Sequence, residues 1–134
     1  MWKESYRIGI DLIDRQHEEL FRATDTLVRA IEANADKQTF RQTITFLKDY
    51  TVRHFHDEEA YQASIHYSGM EDHKKAHRKF TGIILDYERR LVESDFDIRI
   101  VKDLAGTLTA WLIYHVADAD QRIAKGDTGA GLTL

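Results

Sequence analysis

The sequence contains no cysteine and no proline among its 134 residues. Without thiolates, any metal site has to use nitrogen and oxygen ligands, which excludes iron–sulfur clusters, zinc fingers and thiol catalysis. Without proline, no residue breaks a long helix from inside by removing a backbone donor. The chain can therefore form uninterrupted helices, and histidine and carboxylate side chains are its candidate metal ligands.

The chain also lacks a basic stripe and a long apolar run. Acidic and basic residues are mixed along it, and the formal net charge is −4, so no nucleic-acid partner is expected. No apolar run approaches the roughly 20 residues needed to span a bilayer, so no membrane association is expected. The start, MWKESYRIGI, lacks the basic flank and apolar segment of a signal peptide, and we expect a cytoplasmic protein.

Apolar residues recur at i, i+3, i+4 and i+7, which predicts four amphipathic helices within one domain spanning residues 1–134. Short connections make consecutive helices antiparallel, so the expected all-α fold is an up-down-up-down four-helix bundle. The expected helices start at 11–14 and end near 33–36, run over about 39–64 and about 70–92, and start near 95–97.

The two ends of the chain differ from the helical segments. Residues 1–12 have no clear period and are expected to form an ordered N-terminal arm that packs on the bundle through Trp2 and Tyr6. Either Asp11 or Asp14 can cap the first helix. Residues 126–134 are rich in glycine and are expected to form a flexible tail.

Histidine occurs on the apolar face of every predicted helix. Residues four apart lie on one face of a helix, one turn above the other. A buried carboxylate is costly without a partner, so Glu58 on such a face requires a cation. His56 and His66 fall outside the apolar faces and are expected at the surface. The candidate ligands are His17 in the first helix, His54 and Glu58 in the second, His73 and His77 in the third, and His115 in the fourth.

The last helix offers two acids after His115. Asp118, at i+3, is better placed by helical spacing alone. Asp120, at i+5, lies about 140° round an α-helix and needs a loosened last turn to point inward. Spacing alone therefore favours Asp118.

These motifs together resemble the hemerythrin family, and most of all its bacterial members. The resemblance covers nearly the whole chain, and it moves the choice of ligand acid from Asp118 to Asp120, with Asp118 as the fallback. Two departures are Tyr61, where the family often has Met, and Ser68, where it often has Pro after Tyr67. The matching residues are Trp2, Gly9-Ile10, Ile13-Asp14, Gln16-His17, Leu20-Phe21, His54-Phe55, Glu58-Glu59, His73, His77, Phe80, Trp111-Leu112, His115 and Asp120.

The resemblance implies a centre of two iron ions with an oxo or hydroxo bridge. In that arrangement Glu58 and Asp120 bridge the ions, and three histidines bind one ion while two bind the other. The ion with two histidines keeps one vacant position, where dioxygen binds. The implied ligands are His73, His77 and His115 on the closed side, and His17 and His54 on the open side. The O2 pocket positions implied by the family are Leu20, Phe55, Trp111 and Leu112, with Ile113 as a tunnel residue.

Reversible O2 binding, for oxygen carriage, storage or delivery, is the function that this ligand set favours, because it has more imidazoles than carboxylates. Oxygen-activating di-iron bundles have mostly carboxylates and Glu-x-x-His pairs. A regulatory domain that senses O2, NO or redox state with the same site is the alternative. Enzymatic peroxidase-like, nitrite or NO chemistry, or hydrolysis with zinc, ranks third, so we expect no enzyme. Dioxygen is the expected ligand. The sequence leaves open whether the chain forms a homo-oligomer or is attached to a signalling domain in a longer protein.

Overall fold

The computed structural model describes residues 2–119 and 122, leaving out the side chains of residues 118 and 119. It contains four long helices, and no strand occurs in these described residues. A 3-10 turn, Glu4–Tyr6, precedes the first helix, and a π-helical turn, His115–Ala119, continues the last one. The predicted tail at 126–134 lies outside the described residues. The helices are α1 (Asp11–Glu32), α2 (Lys37–Ser64), α3 (Met70–Glu93) and α4 (Ile98–Tyr114).

Helix packing confirms the predicted four-helix bundle. Helix α1 packs against α2 and α4, and α3 packs against the same two helices. Consecutive helices run in opposite directions, so the start of α1, the end of α2, the start of α3 and the end of α4 meet at one end. In the part of the chain that the structure describes, no helix is both long and apolar enough to cross a membrane.

Aspartate side chains cap the N-termini of two of the four helices. Asp36 accepts a hydrogen bond from the Thr39 N–H at 2.8 Å before α2, and Asp97 accepts one from the Arg99 N–H at 2.8 Å before α4. These carboxylates satisfy amides that have no partner inside the helix. The expected cap by Asp11 or Asp14 is wrong, because α1 starts after Ile10 without a side-chain cap.

Asp14 instead ties the N-terminal arm to the bundle. Its carboxylate is buried and accepts the N–H of Ile8 at 2.8 Å and the N–H of Gly9 at 3.1 Å. Gly9 has φ +88°, a conformation that disfavours side chains, so a glycine suits the turn that aims both amides at Asp14. The Tyr6 ring then stacks on Phe21 of α1, with 5.3 Å between the ring centroids.

Apolar side chains fill the opposite end of the bundle. The larger core cluster comes from the end of α1, the start of α2, the end of α3 and the start of α4, and it includes Leu27, Ile44, Leu91 and Leu104. Burying these side chains supplies the main favourable free energy of folding. The polar residues that sequence reasoning selected therefore lie together at the other end, on a scaffold held by this core.

We predict that Asp14→Ala lowers the free energy of unfolding by about 1–3 kcal/mol, because it leaves two amides of the arm without their acceptor. Urea denaturation followed by circular dichroism measures the change. Asp11→Ala is the matched control, since Asp11 is exposed in the same helical turn. Equal losses in both variants would contradict the role assigned to Asp14.

Candidate metal centre

Glu58 lies at the centre of the polar cluster and is fully buried. Its Oε2 atom is 3.5 Å from Nε2 of His17 and 3.3 Å from Nε2 of His54. These two imidazoles also face each other, with 3.1 Å between their Nε2 atoms. One oxygen of Glu58 therefore shares its surroundings with two histidine nitrogens.

The other oxygen of Glu58 faces three histidines. Nε2 of His73 lies 3.1 Å from Oε1, Nε2 of His77 lies 3.0 Å from it, and Nε2 of His115 lies 3.4 Å from it. All three rings are buried. The five imidazoles are thus divided two and three between the oxygens of a single carboxylate.

These short distances fit metal ligands better than hydrogen bonds. Among the described residues, neither oxygen of Glu58 nor Nε2 of His77 has a partner in hydrogen-bond geometry. Because the Nδ1 proton of His77 points at Glu59, a neutral His77 presents a lone pair to Glu58. Two ligand atoms that bind one ion at about 2.1 Å and at right angles to each other lie about 3 Å apart. A cation between them would therefore explain why the lone pairs of His77 and Glu58 lie this close together.

The electrostatics of Glu58 favour its ionised form. Burial raises the pKa of this carboxyl, but the positive charge that His115 and His54 can carry outweighs burial and holds the pKa well below its usual range. Metal ions would supply the same positive charge while leaving the imidazoles neutral. Two overlapping groups of donor atoms, each within 4.8 Å, share Glu58 and His115 and differ in their other histidines.

An amide and a carboxylate orient His54. The Nδ1 atom of His54 lies 2.9 Å from Oε1 of Gln16, and Nε2 of Gln16 donates to Oδ2 of Asp57 at 2.7 Å. An oxygen acceptor at Nδ1 places the proton there, so Nε2, which faces the centre of the cluster, presents its lone pair inward. The Gln16 side chain thus connects a cluster histidine to a partly exposed acid.

Side chains of α2 orient the two histidines of α3. Glu59 Oε2 lies 2.8 Å from Nδ1 of His77, and the Gln62 amide lies 2.8 Å from Nδ1 of His73. Gln62 Oε1 is buried and has no partner among the described residues. In the amide orientation turned by 180°, Oε1 accepts the Nδ1–H of His73, the tautomer that leaves Nε2 of His73 facing Glu58.

Aromatic rings stack on two of the cluster histidines. Phe55 stacks on His77 with 3.9 Å between centroids, and Trp111 stacks on His115 with 4.4 Å between centroids. Phe80 in turn stacks on Trp111 at 3.9 Å. One face of each of these two imidazoles is therefore covered by an aromatic ring.

The predicted pocket residues lie at different depths. Leu20, Phe55 and Leu112 are buried, Trp111 is half-buried, and Ile113 is 38% exposed on the surface of α4. Leu20 and Leu112 belong to one small apolar cluster with Phe21. Their roles around dioxygen, and that of Ile113 as a tunnel residue, stay predictions.

The acid of the last helix also stays a prediction. Asp120 and the side chain of Asp118 lie outside the described residues. The backbone nevertheless has a π-helical turn at His115–Ala119, in which hydrogen bonds join residues five apart. This is a loosened turn of the kind that an inward-facing acid five residues after His115 requires.

The sequence pattern distinguishes the surface histidines from the cluster but does not indicate the residues that support it. His56 and His66 are exposed, as expected. The structure brings together all six candidate ligands that it describes. The residues without an assigned role were Gln16, Asp57, Glu59 and Gln62. A signal existed only for Gln62, since it follows Glu58 by four residues on the same buried face.

This fold and cluster define a helical bundle with a buried imidazole–carboxylate cluster that could hold a cation. A family model described as "Hemerythrin HHE cation binding domain" matches residues 8–125, and the chain therefore belongs to the hemerythrin family. It is 28% identical over 124 residues to a bacteriohemerythrin of Clostridium acetobutylicum, covering 90% of this chain and 95% of that protein.

Two further relatives extend the similarity beyond one lineage. A bacteriohemerythrin of Stenotrophomonas maltophilia is 27% identical over 124 residues, covering 92% of this chain and 78% of that protein. A myohemerythrin of Riftia pachyptila is 28% identical over 120 residues, covering 90% of this chain and 87% of that protein. The likeness extends over nearly the full bundle, so it includes the region of the polar cluster.

We predict that Gln62→Leu weakens metal binding by about tenfold or more, because His73 loses the acceptor that orients it. Competition between the protein and a chelator for Co²⁺ measures the affinity. Gln38→Leu is the control, since Gln38 is an exposed glutamine on the same helix. An unchanged Co²⁺ affinity in Gln62→Leu would show that the amide does not support the site.

Proposed function

We propose that this chain binds dioxygen reversibly at two iron ions held around Glu58, and so carries, stores or delivers oxygen. The observation that supports this proposal most is the division of five imidazoles between the two oxygens of one buried carboxylate. A carboxylate can bridge two metal ions, whereas a neutral imidazole binds one. Nitrogen and oxygen ligands suit iron, and membership of the hemerythrin family supports that metal.

In this proposal the two ions have different numbers of histidine ligands. His73, His77 and His115 would hold one ion, while His17 and His54 would hold the other. Glu58 would bridge both, with Asp120 as the predicted second bridge. The ion held by two histidines would then keep one position for a small ligand, and the iron pair would supply the electrons for reversible O2 binding.

The surroundings of the cluster support binding over substrate oxidation. Neutral imidazoles add no negative charge, so they stabilise high oxidation states less than carboxylates do. Leu20, Phe55 and Leu112 are buried close in sequence to His17, His54 and His115. Excluding water there keeps protons away from the bound ligand, so we propose a binding protein and no enzyme.

Iron content and optical spectra of the purified protein test this proposal. We expect about two iron ions per chain and an absorption band that appears in air and disappears on deoxygenation through repeated cycles. Fewer than two ions, or no reversible band, would contradict it. Very rapid spontaneous oxidation would favour a sensor of O2, NO or redox state over a carrier.

We predict that His54→Ala and Glu58→Gln lower iron loading to one ion or fewer per chain, because each removes a ligand from a buried cluster. Iron analysis after anaerobic reconstitution measures loading. His56→Ala is the matched control, because His56 is exposed and two residues from His54. Full loading of Glu58→Gln would rule out the bridging role.

We predict that Leu112→Asn accelerates spontaneous oxidation of the oxygenated protein by about tenfold or more, since a polar side chain admits water beside the cluster. The decay of the oxygenated absorption band measures the rate. Leu104→Asn is the control, because Leu104 is equally buried on α4 but belongs to the larger core cluster. Equal acceleration in both variants would indicate general loosening of the bundle.

A further inference from the structure

Glu59 is the acid next to Glu58 in sequence, yet it points away from the centre of the cluster. Its Oε2 atom accepts the Nδ1–H of His77 at 2.8 Å. The His77 side chain is 1% exposed, whereas that of Glu59 is 26% exposed. The pair therefore joins a buried candidate ligand to the protein surface.

The surface at this point is a groove between α2 and α3. It has a volume of about 480 Å³, and Val52, Phe55 and Leu85 line it together with Glu59 and His77. Within the described part of the chain, His77 is the only basic side chain with a nitrogen within 4 Å of the Glu59 carboxylate. Arg78 and His56 also line this groove, but neither forms an ion pair with Glu59 among the described residues, so the contact of its carboxylate is with the His77 imidazole.

The other supporting side chains are chemically different. His54 and His73 contact the neutral amides of Gln16 and Gln62. Of the three hydrogen bonds that join a cluster Nδ1 to an outer side chain in the described residues, one has a carboxylate acceptor, at Glu59. A carboxylate draws the Nδ1 proton more strongly than an amide does, which makes the imidazole a stronger donor to a metal.

We propose that Glu59 is a positioning residue whose charge strengthens His77 as a ligand and thereby lowers the reduction potential of the metal centre on its three-histidine side. A stronger donor stabilises the ferric ion more than the ferrous ion, so oxidation becomes easier. This inference rests on the proposed iron centre, but it concerns the electron affinity of that centre and not its ability to bind dioxygen.

Two substitutions separate charge from orientation. Glu59→Gln keeps an acceptor for the His77 N–H and removes the charge, so we expect full iron loading and a higher potential. A tenfold shift of the oxidation equilibrium corresponds to about 59 mV for one electron, and we expect a rise of this order. Glu59→Ala removes charge and acceptor, so we expect iron loss to a chelator to be about tenfold faster as well.

Asp57→Asn is the control for removing a carboxylate charge beside Glu58 that has no direct contact with a cluster histidine. Asp57 flanks Glu58 on the other side, its side chain is 27% exposed, and it contacts Gln16 and, at 4.0 Å, Arg53 instead of a histidine. We expect Asp57→Asn to shift the potential by less than half as much as Glu59→Gln. Equal shifts in the two variants, or no shift in Glu59→Gln, would overturn the proposal.

A second readout does not depend on iron or dioxygen. In ¹⁵N-labelled protein loaded with Zn²⁺, we expect the Nδ1–H resonance of His77 to move upfield in Glu59→Gln and to stay in place in Asp57→Asn. An unmoved resonance would overturn the role of Glu59. A moved resonance in a protein that lacks the reversible oxygen band would refute the proposed function alone.

Discussion

The rest of the structure depends on burying the Glu58 carboxylate. A charged group inside a protein is unstable unless a cation or several donors surround it. Five imidazole nitrogens lie within 3.5 Å of its two oxygens. Four helices are needed to deliver them, and alternating helix direction brings the required ends together. The connection order of the bundle is thus a condition for the cluster as well as a means of burying apolar surface.

Orientation of the imidazoles depends on residues outside the cluster. Each ring has two nitrogens, and the Nδ1 contacts of His54, His73 and His77 direct Nε2 towards Glu58. Stacking fixes the planes of His77 and His115. These contacts with the protein hold the nitrogen atoms in place, which reduces the ordering that metal binding would require. The large apolar core at the other end of the bundle stabilises the fold that carries this polar end.

The sequence predicts the bundle and the six described candidate ligands because both follow from helical periodicity. Supporting residues are harder to predict. Asp57 and Glu59 lie about 100° on either side of Glu58 around α2, where solvated acids are common. Only the neighbouring helices show that Asp57 meets Gln16 and Glu59 meets His77. The expected cap at Asp14 failed for a similar reason, since the arm folds back and offers its own amides to that carboxylate.

The preference of residue spacing for Asp118 on α4 assumes a regular α-helix. A π-helical turn at His115–Ala119 changes which later residues share a face with His115. Such a turn replaces favourable α-helical hydrogen bonds, so it persists where something else compensates for it. The turn starts at a cluster histidine that is held between Trp111 and Glu58. The position of the π-helical turn is therefore an observation, independent of histidine spacing, that places the candidate site at the end of α4.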